Sequence, residues 1–518
     1  MRIDTISFGS LKIYMKKHTF SLRNYFKNRR RRDIVLWILA VFVIYILILI
    51  YLTNPFVQAT IVRSPYTTTY SHDTITLDKQ FDLKVKKGPF IHAFGFIKSG
   101  VHILANVYFG SRKSIHSDSA SIIEEIYEAR FNPRFPYLIS GDHFSVLYPR
   151  SLGVFYLSAL DPRIPTSDIQ WIAREKIILQ TTAYVLDVFH QNGEPCTTIV
   201  PVGPRSVTCI NVYSYPSDAV YSLLYGLRSL QTIEDIMMVY PSDQIPQRTL
   251  HTAEASRILV KTHKKELQDL VTQYRNTVFS PQTGLIRKDI HLSGAKDIIR
   301  RESAFYDNVI YWKTLKLAND LDIIDVPQSE LDGLKKKILE TYWYEKGGYF
   351  LEDLSTDSIE EKYYSSDWLV VLFTGFLDPA NPTEQAYFEK SITYIRKHKL
   401  DEPFGLKYQQ DNRAARAFWP VRFFLRSYGG TAIWSFWGTE YTKLLILMYR
   451  DTGQNSYLEV ARQQLNSYED NIVRYKGFPE VYNQNGKFLS NLFYKSVRQT
   501  GWVINYDQAL HLYKSVSR

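Results

Sequence analysis

From about residue 118 to the C-terminus, apolar residues recur with a helical period, and helices of two kinds alternate. A helix that is apolar nearly all round must be buried, whereas an amphipathic helix can cover it. The run TKLLILMY at 442–449 is of the first kind. The segment that follows from Tyr457, with Leu458, Val460, Ala461 and Leu465 on one face, is of the second. The apolar Trp368–Phe373 run followed by the polar 383–398 segment repeats the alternation. The periodicity predicts helices over 118–130, 149–161, 168–190, 216–231, 250–277, 305–320, 328–341, 364–377, 383–398, 432–452, 455–474 and 497–515. Start signals support several of them: Pro216-Ser217, Ser366-Asp367 and Pro382-Thr383. Twelve helices in six inner–outer pairs predict an all-α (α/α)6 toroid of six helical hairpins over 118–518. No segment repeats at a fixed period, which disfavours a solenoid. The inner helices of such a ring point the same way, so the loops before them meet at one mouth, where a pocket is expected.

Upstream the chain reads differently. Residues 34–52 form an uncharged run, IVLWILAVFVIYILILIYL. At about 1.5 Å per residue it is close to the thickness of a bilayer's hydrocarbon core. Arg29–Arg32 abut its N-terminal side, so the positive-inside rule predicts a cytoplasmic tail over 1–33, a single transmembrane anchor over 34–53 and everything later outside. A cleaved signal peptide, with Val57-Gln58-Ala59 as its site, is the alternative. Ten of the basic residues fall in the first 33 positions, against only Asp4 and Asp33. The formal net charge of +11 is therefore mostly a local tail and not a nucleic-acid-binding surface. Residues 54–117 read as a linker and a small mixed N-terminal element.

Cys196 and Cys209 flank two β-type runs around Gly203-Pro204, TIVPV and RSVT among them. A cross-strand disulfide fits that spacing and an oxidising exterior; two buried thiols are the alternative. No Asn-x-Ser/Thr acceptor occurs except Asn381-Pro382-Thr383, which proline disqualifies. Single-pass attachment in a bacterial envelope is the expectation.

The loops before the inner helices carry acids, aromatics and glycines. They include Gly141-Asp142-His143-Phe144 with Tyr148-Pro149-Arg150, the stretch from Tyr213 to Asp218, and Glu302 to Asn308. Further on come Tyr363 to Trp368, Tyr428-Gly429-Gly430 to Trp437, and Glu480 to Arg498. Each has a plain structural reading as a cap or turn, and Ser217-Asp218 and Ser366-Asp367 are good caps. Six in register point to a shared site.

The helical region resembles the six-hairpin glycosidase superfamily: glycogen-debranching enzymes, oligosaccharide-trimming glucosidases, trehalases and neutral invertases. Glu302…Asp307-Asn308 followed by Val309-Ile310-Tyr311-Trp312 is similar to the segment that carries the general acid in those families. Glu480-Val481-Tyr482-Asn483…Gly486, followed by Gln499-Thr500-Gly501-Trp502, is similar to the segment that carries the general base. Gly429-Gly430-Thr431-Ala432-Ile433-Trp434 is similar to a segment beside the substrate, and Trp343–Phe350 to a scaffold segment. The spacing from Glu302 to Asp307 is one residue longer than in the trimming group, which leaves open which of the two is the acid. Ser435 stands where the family has proline. The resemblance implies an inverting hydrolase of an α-linked glucan or oligosaccharide, with Asp307 (or Glu302) as acid and Glu480 as base.

Glycoside hydrolysis needs two carboxyls in unlike environments. Phe305, Tyr306 and Trp312 around Asp307 predict desolvation and a raised pKa. A helix N-terminus near Glu480 favours its ionised form. Arg301 and Arg498 are expected to hold carboxylates or hydroxyls, Trp368, Trp434, Trp437 and Tyr482 to stack on rings, and Asp142, Tyr148, Arg150 and Asp367 to contact the sugar. A toroid that binds a glycan without cleaving it is the rival reading; a lyase or epimerase is a third, with His143 as its only obvious base. No Walker loop, HExxH or GxSxG motif is present. No cofactor and no catalytic metal are expected; Glu352, Asp353 and Asp357 are the one place for a structural Ca²⁺.

Overall fold

The computed structural model describes residues 29–53, 64–109, 112–132, 137–141, 146–234, 248–292, 299–413, 416, 427–491 and 494–517. Two compact units result, residues 1–54 and 55–518. The described part of the first is one helix, α1 (Arg29–Thr53), which contains the predicted 34–52 run. Its side chains are described from Asp33 to Leu47, fewer than the roughly 20 residues a span needs. Among the described residues no helix is long and apolar enough to cross a membrane, so the predicted transmembrane span is not a finding of the structure.

The second unit begins with a hairpin, β1 (Tyr66–Ser71) and β2 (Thr74–Lys79), then the short β3 (Lys84–Val85) and helix α2 (Pro89–Phe109). The helices α3 (Ser119–Arg130), α4 (Pro149–Val154) and α5 (Asp168–Asn192) follow. A 3-10 turn at Tyr156–Leu160 extends α4. Ser167 and Gln170 form a reciprocal capping box at the start of α5, and Gly193 in the left-handed conformation ends it.

Strands β4 (Thr198–Gly203) and β5 (Ser206–Ile210) form the expected hairpin, and β3 adds to it in parallel. A disulfide joins Cys196 to Cys209 with their Cα atoms 5.5 Å apart. Next come α6 (Ser217–Ser229), α7 (Ala253–Thr262) and α8 (Lys264–Val278). The single helix expected over 250–277 breaks at His263; both halves pack on α6, and α7 also packs on β2.

The rest of the chain repeats one unit. The hairpin β6 (Phe279–Ser280) and β7 (Leu285–Ile286) leads from α8 toward α9 (Phe305–Asp320). Helix α10 (Gln328–Tyr342) ends in the hairpin β8 (Trp343–Tyr344) and β9 (Tyr349–Phe350). A short α11 (Thr356–Glu361) precedes a 3-10 turn at Ser366–Leu369, one turn of helix α12 (Val370–Phe373), and α13 (Pro382–Lys397). The expected 364–377 helix is thus short; Gly375, at φ 65°, turns the chain out of it. Strand β10 (Ile433–Trp434), α14 (Ser435–Thr452), α15 (Asn455–Tyr475), β11 (Val481–Tyr482) and α16 (Val503–Val516) complete the fold. Residues 497–500 do not start the last helix as expected. They pair sideways instead, Gln499 with Phe478 and Thr500 with Gly141.

The helices form a closed ring. Inner α4 touches α6, α6 touches α9, and α9 touches α12; the 3-10 turn before α12 touches α14, and α14 touches α16. The ring closes where α16 meets the 3-10 turn that extends α4. Outer helices back this ring, α5 against α4 and α6, α10 against α9, and α15 against α14 and α16. Burial follows the two kinds of helix seen in the sequence. Helix α9 is buried nearly all round, whereas α10 buries only a stripe through Leu331, Leu334, Ile338 and Tyr342. The architecture is the expected (α/α)6 ring of helices, but the region is not all-α as expected: small sheets such as β6–β7, β8–β9 and β10–β11 lie between its helices.

Candidate active site

The N-terminal ends of α4, α6, α9, α14 and α16 surround a cavity of about 90 Å³. Such a volume is well above the roughly 10–15 Å³ a single water needs. Two carboxylates line it, Glu480 and Asp218, with the guanidinium of Arg150. Its walls are aromatic: Tyr148 and Phe155 from α4, Tyr306 from α9, and Trp434, Phe436 and Trp437 at the start of α14, with Tyr428 and Trp502. Beyond Tyr148 lies a wider, open trough lined by Tyr213, His291, Arg300 and Arg416 among others.

Glu480 is strapped on both sides. Its N–H donates to Val497 O (2.9 Å), and its C=O accepts from the N–H of Ser435 (3.0 Å). The next residue, Val481, pairs with Trp434. This geometry explains the helix-breaking Gly477-Phe478-Pro479 before it: a Cβ on Gly477 would meet Arg498 O at 2.5 Å. The side chain accepts a hydrogen bond from Tyr494 Oη at 3.0 Å. The helix N-terminus beside it belongs to α14, not to the last helix as expected.

Asp218 is the second residue of α6 and only 2% exposed. The sequence reading treated it as a cap. The signal available was its place in one of six acidic–aromatic loops.

Asp307 sits in the first turn of α9, 3% exposed, and is not on the cavity wall, although its neighbour Tyr306 is. Desolvation pushes its carboxyl up to about 8; Arg301 pulls it down, and the charges of Asp218 and Asp367 push it further up. The cause anticipated from Phe305 and Tyr306, burial, is the dominant one. At neutral pH Asp307 therefore keeps its proton. Arg301 Nη1 donates to Asp367 Oδ2 at 2.5 Å, both groups fully buried. The Arg301 cation thus faces Asp367 and Asp307, with Glu352 also acting on it, while Asp218 acts on Asp307.

The other expected site residues divide clearly. Tyr148, Arg150, Trp434 and Trp437 meet Glu480 at the cavity. The Trp434 indole N–H is held by Tyr428 O at 2.8 Å, and its ring lies 5.6 Å from that of Trp502. Trp437 stands edge-on to Tyr306 at 6.3 Å. Trp368 and Tyr482 are core residues: Trp368 donates to Tyr364 Oη (3.1 Å), and Tyr482 packs edge-on against Phe404. Arg498 lies over the Phe488 ring at 4.4 Å, away from the cavity wall. Glu302 is part of a different cluster, where its N–H donates to Asp353 Oδ2 at 2.9 Å. Arg416 bridges Glu352 and Asp353 there, so a guanidinium occupies the place considered for calcium. Asp142 and His143 lie outside the described residues.

No family model and no curated protein matches the chain. Among solved structures it is similar to cellobiose 2-epimerase from Bacillus thermoamylovorans, at 10% identity and a TM-score of 0.49 over 77% of this chain and 98% of that one. It is similar to a rhamnosidase from Klebsiella oxytoca with rhamnose bound, at 13% identity and a TM-score of 0.47 over 78% of this chain and 66% of that one. A glucoamylase from Saccharomycopsis fibuligera gives 12% identity and 0.45 over 79% and 98%.

Proposed function

We propose that the chain is a glycoside hydrolase acting by inversion on an α-linked glucan or oligosaccharide. The observation that carries this reading is an aromatic-walled cavity with Glu480 and Asp218 on its wall, together with a buried Asp307 whose pKa is raised by burial and by the charge of Asp218. Aromatic faces suit the apolar faces of sugar rings, and Arg150 suits their hydroxyls. In this reading Glu480 is the base that takes a proton from water as its oxygen attacks the anomeric carbon. On the acid side, burial and the charge of Asp218 hold a proton on Asp307. In this reading Asp307 supplies that proton and Asp218, on the cavity wall, relays it to the leaving oxygen. The role first expected of Asp307 is thus shared. Glu302 has no part in it. The motifs around Glu302–Trp312 and Glu480–Trp502 support the α-linked substrate, and the open trough beyond Tyr148 supports more than one sugar unit.

The test is hydrolysis of maltooligosaccharides by the full chain. Glu480→Gln and Asp218→Asn are each expected to lose about 10²–10⁴-fold in kcat. A glycosyl fluoride, whose leaving group needs no proton, should restore Asp218→Asn but not Glu480→Gln. Proton NMR of the first product should show the inverted anomer. Full activity in both variants would end the reading.

We also propose that α1 is a membrane anchor with residues 1–33 in the cytoplasm and the toroid outside, in a bacterial envelope. The uncharged 34–52 run and the abutting Arg29–Arg32 support it. Recovery of the full chain in the alkaline-soluble fraction of membranes would overturn it.

A further inference from the structure

In the second unit, helix α2 has an apolar and uncovered outer face over its described side chains, Pro89 to Gly100. It packs on the β4–β5 hairpin through one side only: a Cβ on Gly95 would touch Thr208 and Ile210, and Lys98 Nζ donates to Pro201 O at 2.8 Å. Lys98 is the only Lys, Arg, Asp or Glu in the 21 residues of the helix, and it is turned inward. The opposite side carries Phe90 (90% exposed), Phe96 (62%), Ile97 and Phe94. Apolar patches left open on a folded protein mark a surface that something covers.

The residues at the edge of this face indicate what. Lys84, Lys86 and Lys87 all stand exposed just before the helix. They are fixed there because β3 is zipped to β5 and Lys86 N–H donates to Val207 O. The helix itself has no charged face: its apolar side supplies surface to bury, and the exposed lysines of the preceding segment, of which Lys87 Nζ also donates to Asn192 O, supply the positive charge that an anionic interface attracts. A second copy of the chain fits less well. A two-fold pair through this face would set one lysine cluster near its equivalent, whereas an anionic headgroup layer complements it.

We propose that the outer face of α2 lies in the interfacial layer of an anionic phospholipid bilayer. The toroid then meets the membrane through a second contact, whatever α1 does.

The test uses the full chain, in which both native cysteines are in the disulfide. Phe90→Cys and, as a control, Ile169→Cys on α5 are labelled with an environment-sensitive fluorophore. Each is mixed with vesicles of phosphatidylcholine, with or without phosphatidylglycerol. The expected result is a blue shift and quenching by nitroxide-bearing lipid at position 90, stronger with phosphatidylglycerol, and neither effect at 169. No shift at 90, an equal response at both positions, or a shift that needs no lipid and follows protein concentration would each overturn the proposal. The last outcome would assign the face to a second copy. Co-sedimentation of unlabelled chain with the same vesicles reports separately on α1.

Discussion

Asp307 shows how little chemistry a carboxyl can reveal in sequence and how much in place. Its neighbours in the chain announced burial, and burial is what raises its pKa to about 8. The proton it carries makes a prediction about rate. If the acid side must be protonated, kcat/KM falls as pH rises through about 8. Asp307→Asn should move or abolish that alkaline limb, seen in a pH–rate profile with maltooligosaccharides, while leaving the acid limb in place. It also makes a prediction about stability. The folded pKa lies above the unfolded one, so the folded state binds the extra proton between the two. Stability contributed by this group is therefore full below about pH 4 and declines as pH rises toward 8. Asp307→Asn carries no titrating proton, so its denaturant midpoint should fall less than that of the native chain across that window. Asp218 was the residue that sequence reasoning passed over. An acid two positions after a proline at a helix start looks the same whether its oxygens turn to the backbone or to a cavity. Tyr482 and Trp368 failed for the converse reason: an aromatic beside an acid reads alike in a wall and in a core.

The elements were easier to read than the side chains, because the 3.6-residue period survives wherever a helix has one dry face. It fails where geometry is set by distant partners. The late start of α16 at Val503 answers to bridges from elsewhere in the chain. Helix α14 holds the sharpest local constraint. Gly438 sits inside it although alanine has the better helix propensity. A Cβ there would meet Tyr468 Oη at 2.0 Å and Gly405 Cα at 2.8 Å. Gly438→Ala is therefore expected to destabilise by about 1–3 kcal/mol, the usual cost of overpacking, and not to gain the helix-propensity benefit. A lowered thermal midpoint with unchanged helical circular dichroism at low temperature would bear this out. The β4–β5 hairpin gives a second case. Its disulfide closes a loop of 13 residues, and opening it should cost on the order of 3 kcal/mol. Thermal melts of the full chain with and without reductant would measure that loss.

At the scale of the whole molecule, the ring is sealed by buried polar groups as well as by apolar contact. Gln508 Nε2 donates to Asp161 Oδ2 (2.7 Å), and Lys443 Nζ donates to Gln508 Oε1 (2.8 Å). Lys443 pairs with Glu440, to which Asn505 Nδ2 donates at 2.7 Å. Gln508→Leu would leave Asp161 and Lys443 each one hydrogen bond short in a dry place, although Arg163 and Glu440 still pair with them. We expect a loss of about 1–3 kcal/mol, read from denaturant unfolding. Asp161 and Gln508 are 347 positions apart. Synthesis must therefore run past Val516 before α16 can reach its seat. Until then the buried inner helices have no final neighbour on one side. A nascent chain of this design waits on the ribosome with oily surface showing, and its yield in a cell will depend on what shields that surface during the wait.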